Sequence, residues 1–385
     1  MLCNLPYKQP DARHITRSFS SFRASDLEIT KCRDDQRQAK PDPRNLLFGH
    51  HFTDHMLEVD WTEADGWSRP KISPLHNFSI HPSAKVLHYA NELFEGMKAY
   101  RGVDGRIRMF RPDMNMQRMN RSASRSSLPN FDGEELIACM SELIRLDQEF
   151  VFPSETRTAL YIRPFMFGTE AALGVSKSRR AILSVILSPV GSYFAGSQTK
   201  NIALMASPSY VRAWPGGTGE HKLGANYATT IQIQQEAVDK GLQQVLWLFG
   251  EDRQITEVGT MNVFVVLKGT SGQVQLVTPP LGDGLILPGI VRDSILRLAR
   301  NLPDIQVVER RITIGEVKDA LANQTLVEMF GAGTACVVSP IGMIEYMGEN
   351  LELPVSSGVS GRLLNALERI TSGEESPHEW CRIVC

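Results

Sequence analysis

A single lysine, Lys222, stands in the glycine-rich stretch GGTGEHKLGANY at residues 216–227. Glycines let the backbone approach a bulky ligand closely, and a lysine held there could be partly desolvated and available for Schiff-base chemistry. A phosphate-binding P-loop is excluded, because the glycine spacing differs and Leu223 stands where serine or threonine would bind magnesium. On these residues alone, a plain surface loop is the commoner interpretation.

Three further motifs carry groups that a cofactor site would use. Glu257, in ITEVGTMNVFVV, precedes a strongly apolar strand, so its carboxylate could reach a pocket and keep a pyridine nitrogen protonated. In FGAGTACVVSP, the amides around Thr334 could form an anion-binding nest. In RMFRPDMNMQRMNRSASR, one arginine could turn inward to a phosphate. Each motif also has an ordinary interpretation, respectively an exposed glutamate, a turn before a strand and a solvated basic helix face.

Composition narrows the classes of function. The chain has 385 residues, enough for two domains, and a formal net charge of −2, so no basic field would attract nucleic acid or an anionic membrane. The longest apolar stretch, 181–187, is too short to span a bilayer. Six scattered cysteines without a CxxC pair indicate neither a disulfide framework nor a metal site.

The first thirty residues are basic, rich in serine and poor in acids. This composition predicts a transit peptide and a place in the mitochondrial matrix; a disordered tail on a cytoplasmic protein is the alternative. We expect folded structure to begin near Leu46. The predicted division is a targeting or disordered segment (1–44), a small α/β domain (45–195), an interdomain linker (196–209) and a large cofactor-binding domain (210–385).

Hydrophobic periodicity predicts the elements that position these motifs. Helices are expected from Pro112, after a cap at Asp132 with Glu135 three positions on, and over 227–240, 291–300, 313–322 and 361–370. Strands are expected at 159–162, 181–187, 243–249 and 261–267. Because strands and helices alternate irregularly, the predicted class is α+β or mixed α/β.

Taken together, the motifs resemble those of branched-chain aminotransferases of fold type IV, of the animal kind. The matching segments run in the family's order from about Asn45 to Trp380 and include LHYANELFEGMKAYRG, MNMQRM, LYIRPFMFGTE, VRAWPGGTGEHKLGANY, QITEVGTMN, ILPGIVRDSIL and EMFGAGTACVV. The resemblance implies a two-domain enzyme with pyridoxal 5′-phosphate at the domain interface. It would reversibly transfer the amino group of L-leucine, L-isoleucine or L-valine to 2-oxoglutarate, giving the branched 2-oxo acid and L-glutamate.

The resemblance also implies which residues would bind the cofactor. Lys222 would be the catalytic residue, forming the Schiff base and shuttling a proton between Cα and C4′. Glu257 would pair with the pyridine nitrogen, Tyr227 with the phenolic oxygen and Arg118 with the phosphate. The remaining contacts would come from Thr260, Ile290, Val291 and Thr334.

For the substrate, the resemblance implies an apolar pocket in a homodimer. Arg163 would contact the second carboxylate of glutamate or 2-oxoglutarate. The walls would be Phe48, Phe94, Tyr161 and Tyr193, the α-carboxylate would lie near Thr260, Thr334 and Ala335, and the other subunit would contribute Tyr89, Leu173 and Val175. Burial stabilises each branched side chain by roughly 1.5–3 kcal/mol and one methylene discriminates by only about 1–3 kcal/mol, so all three amino acids should be accepted.

Two positions depart from the family pattern. Mammalian members carry a CxxC motif after the glycine loop, whereas this chain has Cys336 and Ser339, so no disulfide can form between these positions. Ala225 stands where many members have glycine.

Two alternatives remain open. A D-amino-acid aminotransferase or a related lyase would share the fold, but the motifs YIRP, GGTG and EVGTMN argue against both. A non-catalytic regulator on the same scaffold would have lost functional groups, whereas this chain retains Lys222, Glu257, Tyr227 and Arg118.

Overall fold

The strands of the first half of the chain form one mixed sheet. In the computed structural model, which describes residues 21–191, 201–269, 272–355 and 358–385, these strands are β1 (Glu28–Ile29), β2 (His55–Thr62), β3 (Gly66–Trp67), β4 (Lys71–Pro74), β5 (Glu92–Phe94), β6 (Met97–Arg101), β7 (Ile107–Phe110), β8 (Ala159–Gly168) and β9 (Arg180–Val190). Their order is β1-β4-β2-β9-β8-β6-β7, with β3 beside β2 and β5 beside β8. The predicted strands at 159–162 and 181–187 are confirmed within β8 and β9.

Three helices accompany this sheet: α1 (Lys85–Tyr89), α2 (Pro112–Arg125) and α3 (Gly133–Leu146). Helix α2 begins at Pro112 as predicted, and the side chain of Asp132 caps α3 by accepting from the Glu134 amide at 2.9 Å. Glu135 does not complete a capping box, because its carboxylate accepts instead from the amide of Ala24 at 2.7 Å. Both helices bury an apolar face against the sheet, as the 3.6-residue period requires.

The second half forms another mixed sheet, from β10 (Ile202–Ser207), β11 (Gln244–Phe249), β12 (Gln254–Val258), β13 (Met261–Lys268), β14 (Val274–Thr278), β15 (Ile305–Glu309), β16 (Leu326–Gly333), β17 (Val337–Tyr346) and β18 (Glu349–Glu352). The order is β12-β11-β10-β17-β16-β13-β14-β15, with β18 beside β17. Because β12 also pairs with β13, six of these strands close into a ring. The last strand, β19 (Cys381–Ile383), returns to the first sheet and pairs with β7.

The helices of the second half are α4 (Gly224–Ala228), α5 (Ile231–Asp239), α6 (Ile290–Arg300), α7 (Ile314–Ala322) and α8 (Val359–Thr371). Helix α7 has the expected capping box of Thr313 and Glu316. The single helix predicted over 227–240 is wrong, because the chain breaks between α4 and α5. There the hydroxyl of Thr230 donates to the carbonyl of Tyr227 at 2.7 Å, and such local bonds compete with helix formation.

Two predicted boundaries need correction. Folded structure begins before Leu46, since Phe22 is 3% exposed and packs on Trp67 and Phe131, while β1 pairs with β4. Phe22 was assigned to the targeting segment because its neighbours have the composition of a transit peptide. Residues 1–20 lie outside the described part, so targeting stays a prediction. The predicted linker, 196–209, contains β10, whose continuous apolar run IALMA places it inside the second sheet, between β11 and β17. None of the helices in the described ranges is long and apolar enough to cross a membrane.

Candidate active site

A cavity of about 270 Å³ lies where the two sheets meet. It is lined by residues from both halves of the chain, so neither sheet forms it alone. Of the residues that the sequence singled out, those on its wall are Phe48, Phe94, Arg118, Tyr161, Arg163, Lys222, Tyr227, Thr260, Ile290, Val291, Thr334 and Ala335. Positions far apart in the chain are therefore brought together as the motifs predicted.

Lys222 is held through its backbone on both sides. Its amide donates to Ser122 Oγ at 2.9 Å, and its carbonyl accepts from the Phe94 amide at 3.1 Å. Its Nζ donates to the phenol oxygen of Tyr227 at 3.0 Å and lies 4.6 Å from the centroid of the Phe94 ring. Gly224 is required nearby, because a Cβ there would come within 1.7 Å of the Glu92 carboxylate. The amine thus extends into the cavity from a backbone that is hydrogen-bonded on both sides.

Glu257 lies on β12, a strand that the sequence did not predict, and is 2% exposed. Its carboxylate accepts from Arg212 Nε at 2.9 Å and from the amide of Leu287 at 2.7 Å. Burial raises the pKa of Glu257, although Arg212 and the Leu287 amide oppose this effect. A carboxyl group with a raised pKa is well suited to share a proton with a heterocyclic nitrogen.

Arg118, on the inner face of α2, is paired with a fully buried carboxylate. Its Nε and Nη2 donate to the two oxygens of Glu95 at 2.7 and 2.8 Å, and its Nη1 donates to the Pro288 carbonyl at 3.0 Å. Burial would raise the pKa of Glu95, but the Arg118 guanidinium and the Asn115 amide hold it below its usual value. A guanidinium has five N–H groups, so Arg118 keeps donors for an anion in the cavity.

Aromatic rings form much of the wall around these charges. The Phe48 and Tyr161 rings lie 4.9 Å apart, as do those of Phe94 and Tyr227. The Arg163 guanidinium lies 4.8 Å from the Phe94 centroid and donates to the Tyr161 phenol at 3.1 Å. Its Nε is buried without a partner among the described residues. The pocket therefore combines apolar surface with a guanidinium that no carboxylate neutralises at ion-pair distance within the described chain.

The opposite wall offers backbone amides. Residues 334–336 form the turn between β16 and β17, and α6 starts at Ile290 beside the cavity. A helix N-terminus attracts anions through its unsatisfied N–H groups and its dipole. Only glycine fits at position 289, because a Cβ there would lie 1.9 Å from the Asn262 side chain. This wall suits a phosphate or a carboxylate.

Among the described residues, four predicted site residues do not line this cavity within one chain, and one of them is Glu257, whose carboxylate accepts from the amide of the lining residue Leu287. Tyr89, Leu173 and Val175 lie together on the surface, where the Tyr89 hydroxyl donates to the Leu173 carbonyl. Their exposed fractions are 40%, 63% and 84%, which agrees with residues expected to serve another subunit but does not test that role. Tyr193 lies outside the described residues.

Sequence reasoning missed two buried partners, Glu95 and Arg212. Both stand in motifs that the resemblance had used, LFEGMKAY and VRAWPGG, as charged residues among apolar and small neighbours. A charge in such surroundings signals a buried pair, because buried charges require partners. That signal was available, although it could not identify which carboxylate would pair with which arginine.

The groups around the cavity fit pyridoxal phosphate. An amine stands on one wall next to a phenol, a buried carboxylate is held by the Leu287 backbone at the cavity edge, and Arg118 and the start of α6 also line the cavity with groups that attract anions. These are the amine, ring-nitrogen partner and anion site that the cofactor needs. Among the described residues, no group of three or more His, Cys, Asp or Glu side chains could hold a metal ion.

Comparison with known proteins leads to the same assignment. The sequence pattern of the family described as Amino-transferase class IV matches residues 92–344. The cytosolic branched-chain-amino-acid aminotransferase of Mus musculus is 52% identical over 92% of this chain and 91% of its own length. The mitochondrial form of Bos taurus is 49% identical over 94% and 92%.

A solved structure, that of the Escherichia coli branched-chain amino acid aminotransferase, has a TM-score of 0.67 at 25% identity over 85% of this chain and 99% of that one. Fold and site thus define a class IV aminotransferase with the mixed α/β architecture of fold type IV. Within that class, the chain belongs to the branched-chain-amino-acid aminotransferase family.

Proposed function

We propose that the protein is a branched-chain-amino-acid transaminase that uses pyridoxal 5′-phosphate and exchanges amino groups between L-leucine, L-isoleucine or L-valine and 2-oxoglutarate. The observation that carries the proposal is the position of Lys222 Nζ, 3.0 Å from the Tyr227 phenol in a cavity walled by aromatic rings. Family membership agrees with this activity, because the relatives bear it in their names.

The cofactor would be held by Lys222, Tyr227, Glu257 and Arg118, with Thr260, Ile290, Val291 and Thr334 around it. When bound, pyridoxal phosphate supplies an electrophilic carbonyl and a ring that withdraws electrons. Glu257 would hold a proton at the ring nitrogen, and Arg118 would neutralise phosphate charge. Lys222 Nζ would remove and return the proton at the substrate Cα, as a positioned general base and acid.

The same cavity must accept an aliphatic side chain in one half-reaction and a carboxylate in the other. Phe48, Phe94 and Tyr161 provide apolar surface for leucine, isoleucine or valine. Arg163 stands among these rings with an unpartnered buried Nε in the described chain, and is the cation available to the second carboxylate of 2-oxoglutarate. One pocket can therefore serve both substrates without a large rearrangement.

Assembly and compartment form part of the proposal. The exposed apolar side chains Leu173 and Val175, beside Tyr89, are suited to a homodimer in which this loop completes the other subunit's pocket. The basic N-terminal composition favours the mitochondrial matrix, and the relatives include both mitochondrial and cytosolic forms. N-terminal sequencing of the mature protein from fractionated mitochondria distinguishes the two compartments.

The test is a leucine-to-2-oxoglutarate transamination assay on the wild type and on Lys222→Ala. We expect a yellow wild-type protein, loss of turnover in the variant, and borohydride reduction that attaches the cofactor to Lys222. Assays with D-alanine and aminodeoxychorismate in place of L-leucine serve as the specificity control. A better rate with D-alanine, or a colourless protein unaffected by added cofactor, would contradict the proposal.

A further inference from the structure

One face of the segment Phe94 to Tyr100 points between the two sheets. Side chains alternate along a strand, so Phe94, Gly96, Lys98 and Tyr100 share that face. Phe94 contacts the amine of Lys222, and a Cβ on Gly96 would lie 1.9 Å from the Tyr161 hydroxyl. Lys98 pairs with Tyr161 across β6 and β8, next to the active-site wall. The face that forms this wall therefore includes Lys98, a lysine that the proposed contacts to cofactor and substrate do not use.

Lys98 is 7% exposed and differs from the other buried cations near it. Arg118 pairs with Glu95, and Arg212 pairs with Glu257, but Lys98 has no carboxylate at ion-pair distance in the described chain. Its Nζ donates to the carbonyl oxygen of Ala335 at 2.8 Å. Burying a charge without an opposite charge is costly, so such a residue is expected to serve a specific purpose.

Ala335 belongs to the three-residue turn 334–336 between β16 and β17. The next residue after this turn, Val337, has a φ of 61°, a left-handed conformation that a β-branched side chain rarely adopts. Strained conformations persist when neighbouring contacts hold them, and they concentrate at functional sites. The bond from Lys98 is a contact of this kind, made from the opposite sheet.

The amides of Thr334, Ala335 and Cys336 donate to no other residue in the described ranges. Lys98 lines a second cavity, of about 720 Å³, on one side of the turn, whereas these three residues line both cavities. The peptide between Ala335 and Cys336 is trans, so a carbonyl held towards Lys98 turns the Cys336 amide the other way, away from the lysine. The turn then offers unpaired amides to the active-site cavity.

We propose that Lys98 is a positioning residue for the substrate's α-carboxylate: by holding the Ala335 carbonyl, it orients the amides of the 334–336 turn towards the active site and adds a positive charge behind them. This inference rests on the proposed function, because it assumes that an amino acid binds in the smaller cavity. Lys98 itself acts through the turn and does not touch the reacting atoms.

The test compares two ligands of the same shape on the holoenzyme, 4-methylvalerate, which carries a carboxylate, and 4-methylpentanamide, which does not. In Lys98→Met, we expect the affinity for 4-methylvalerate, measured by calorimetry, to fall about tenfold or more, which is the range for losing one hydrogen bond from a turn amide to the charged carboxylate. The affinity for the amide should change little. With leucine, KM should rise more than kcat falls.

The matched control is Lys268→Met, because Lys268 also donates to a backbone carbonyl, that of Gln324 at 2.8 Å, but is exposed at the end of β13. It should bind both ligands as the wild type does. Lys98→Gln, which can donate but carries no charge, should recover part of the carboxylate affinity, and it replaces Lys98→Met if that variant does not fold.

Equal weakening of both ligands, or a folded Lys98→Met with wild-type affinity for 4-methylvalerate, would overturn the inference. The titration does not depend on turnover, so carboxylate binding that requires Lys98 in a protein that fails to transaminate leucine would count against the proposed function alone. A wild-type holoenzyme that binds neither ligand would overturn both.

Discussion

The two ends of the active site contain the same kind of buried ion pair with reversed roles. In the first half of the chain, Arg118 faces the cavity and Glu95 holds it from behind. In the second half, Glu257 is the group proposed to meet the ligand, and Arg212 holds it from behind. Burial raises the pKa of Glu257, whereas Arg118, Asn115 and Lys222 keep the pKa of Glu95 low against the effect of burial.

The two ion pairs differ in the number of hydrogen-bond donors around the carboxylate, and this number determines how readily the carboxylate can bind a proton. Four donors, from Asn115, Arg118 (two nitrogens) and the Gly96 amide, stabilise the Glu95 anion, so it acts as a permanent counter-charge. Glu257 has one guanidinium nitrogen and one close amide, and it retains more tendency to bind a proton. The first arrangement suits anchoring a phosphate-binding arginine, and the second suits exchange with a pyridine nitrogen.

The largest expected effect is on stability. Glu95→Gln and Glu257→Gln each leave a buried arginine without its counter-charge, which typically costs about 3–5 kcal/mol. We expect both variants of the cofactor-free protein to lose stability in this range, measured by denaturant unfolding. Added pyridoxal phosphate should restore more stability to Glu95→Gln, because its phosphate can neutralise Arg118. Equal recovery in the two variants would show that the pairs do not have separate roles.

The second expectation separates the pairs by activity. At saturating cofactor, Glu257→Gln should lose about 100-fold or more in kcat with leucine, because the site loses preorganised charge at the ring nitrogen. Glu95→Gln should keep kcat within about tenfold of the wild type, since it acts only through Arg118. Steady-state kinetics with excess pyridoxal phosphate measure both values. A kcat for Glu257→Gln near that of the wild type would contradict the interpretation that Glu257 acts on the ligand while Glu95 only holds Arg118.

The third expectation concerns a cation without a paired carboxylate. Arg163→Met should raise the KM for 2-oxoglutarate by about 10- to 100-fold, the usual effect of losing a hydrogen bond to a charged group. The KM for leucine should change much less, because methionine keeps apolar contact with Phe94 and Tyr161. Parallel increases in both KM values would indicate general damage to the pocket. The matched control is Arg382→Met, an exposed arginine on β19.

Much of this site could be predicted from the sequence, and the limits are physical. Lys222 and Glu257 stand in motifs whose residue types and order are specific to the family, so a lysine on the cavity wall and a carboxylate next to that wall could be expected. The strand β12 around Glu257 was missed because QITEV is short and follows a turn, and only pairing across the sheet defines it. The burial of Phe22 was missed because its neighbours have the composition of a disordered segment, and its contacts with Trp67 and Phe131 are distant in sequence.

Lys98 shows the same limit within a motif that was recognised. Its position in FEGMKAY gives its side of the strand, because residues two apart share a face and Lys98 therefore lies on the side of Phe94 and Gly96. Nothing local predicts that its partner is the carbonyl of Ala335, 237 residues away. Backbone acceptors have no sequence signature, so contacts of this kind become visible only when the two sheets are assembled.

The smallest expected effect is a pH dependence that comes from Lys98, the buried cation that, unlike Arg118 and Arg212, has no carboxylate partner in the described chain. Burial lowers the pKa of Lys98 to about 8, since no carboxylate of the described chain opposes desolvation there. Its ammonium charge is therefore present below about pH 8 and lost as the pH rises through that value. The affinity of the holoenzyme for 4-methylvalerate should then fall by up to about tenfold between pH 7 and pH 9, as a nearby charge is removed.

The same titration on Lys98→Met should lack this step, while Lys268→Met should retain it. Cys336, the titratable group whose charge acts on Lys98, has a pKa raised by burial, so its thiol loses its proton only at higher pH than an ordinary cysteine. Replacing Cys336 with serine should therefore leave the step in place. If the step moves with Cys336 and not with Lys98, the charge behind the turn belongs to the thiolate, and the lysine acts only as a hydrogen-bond donor.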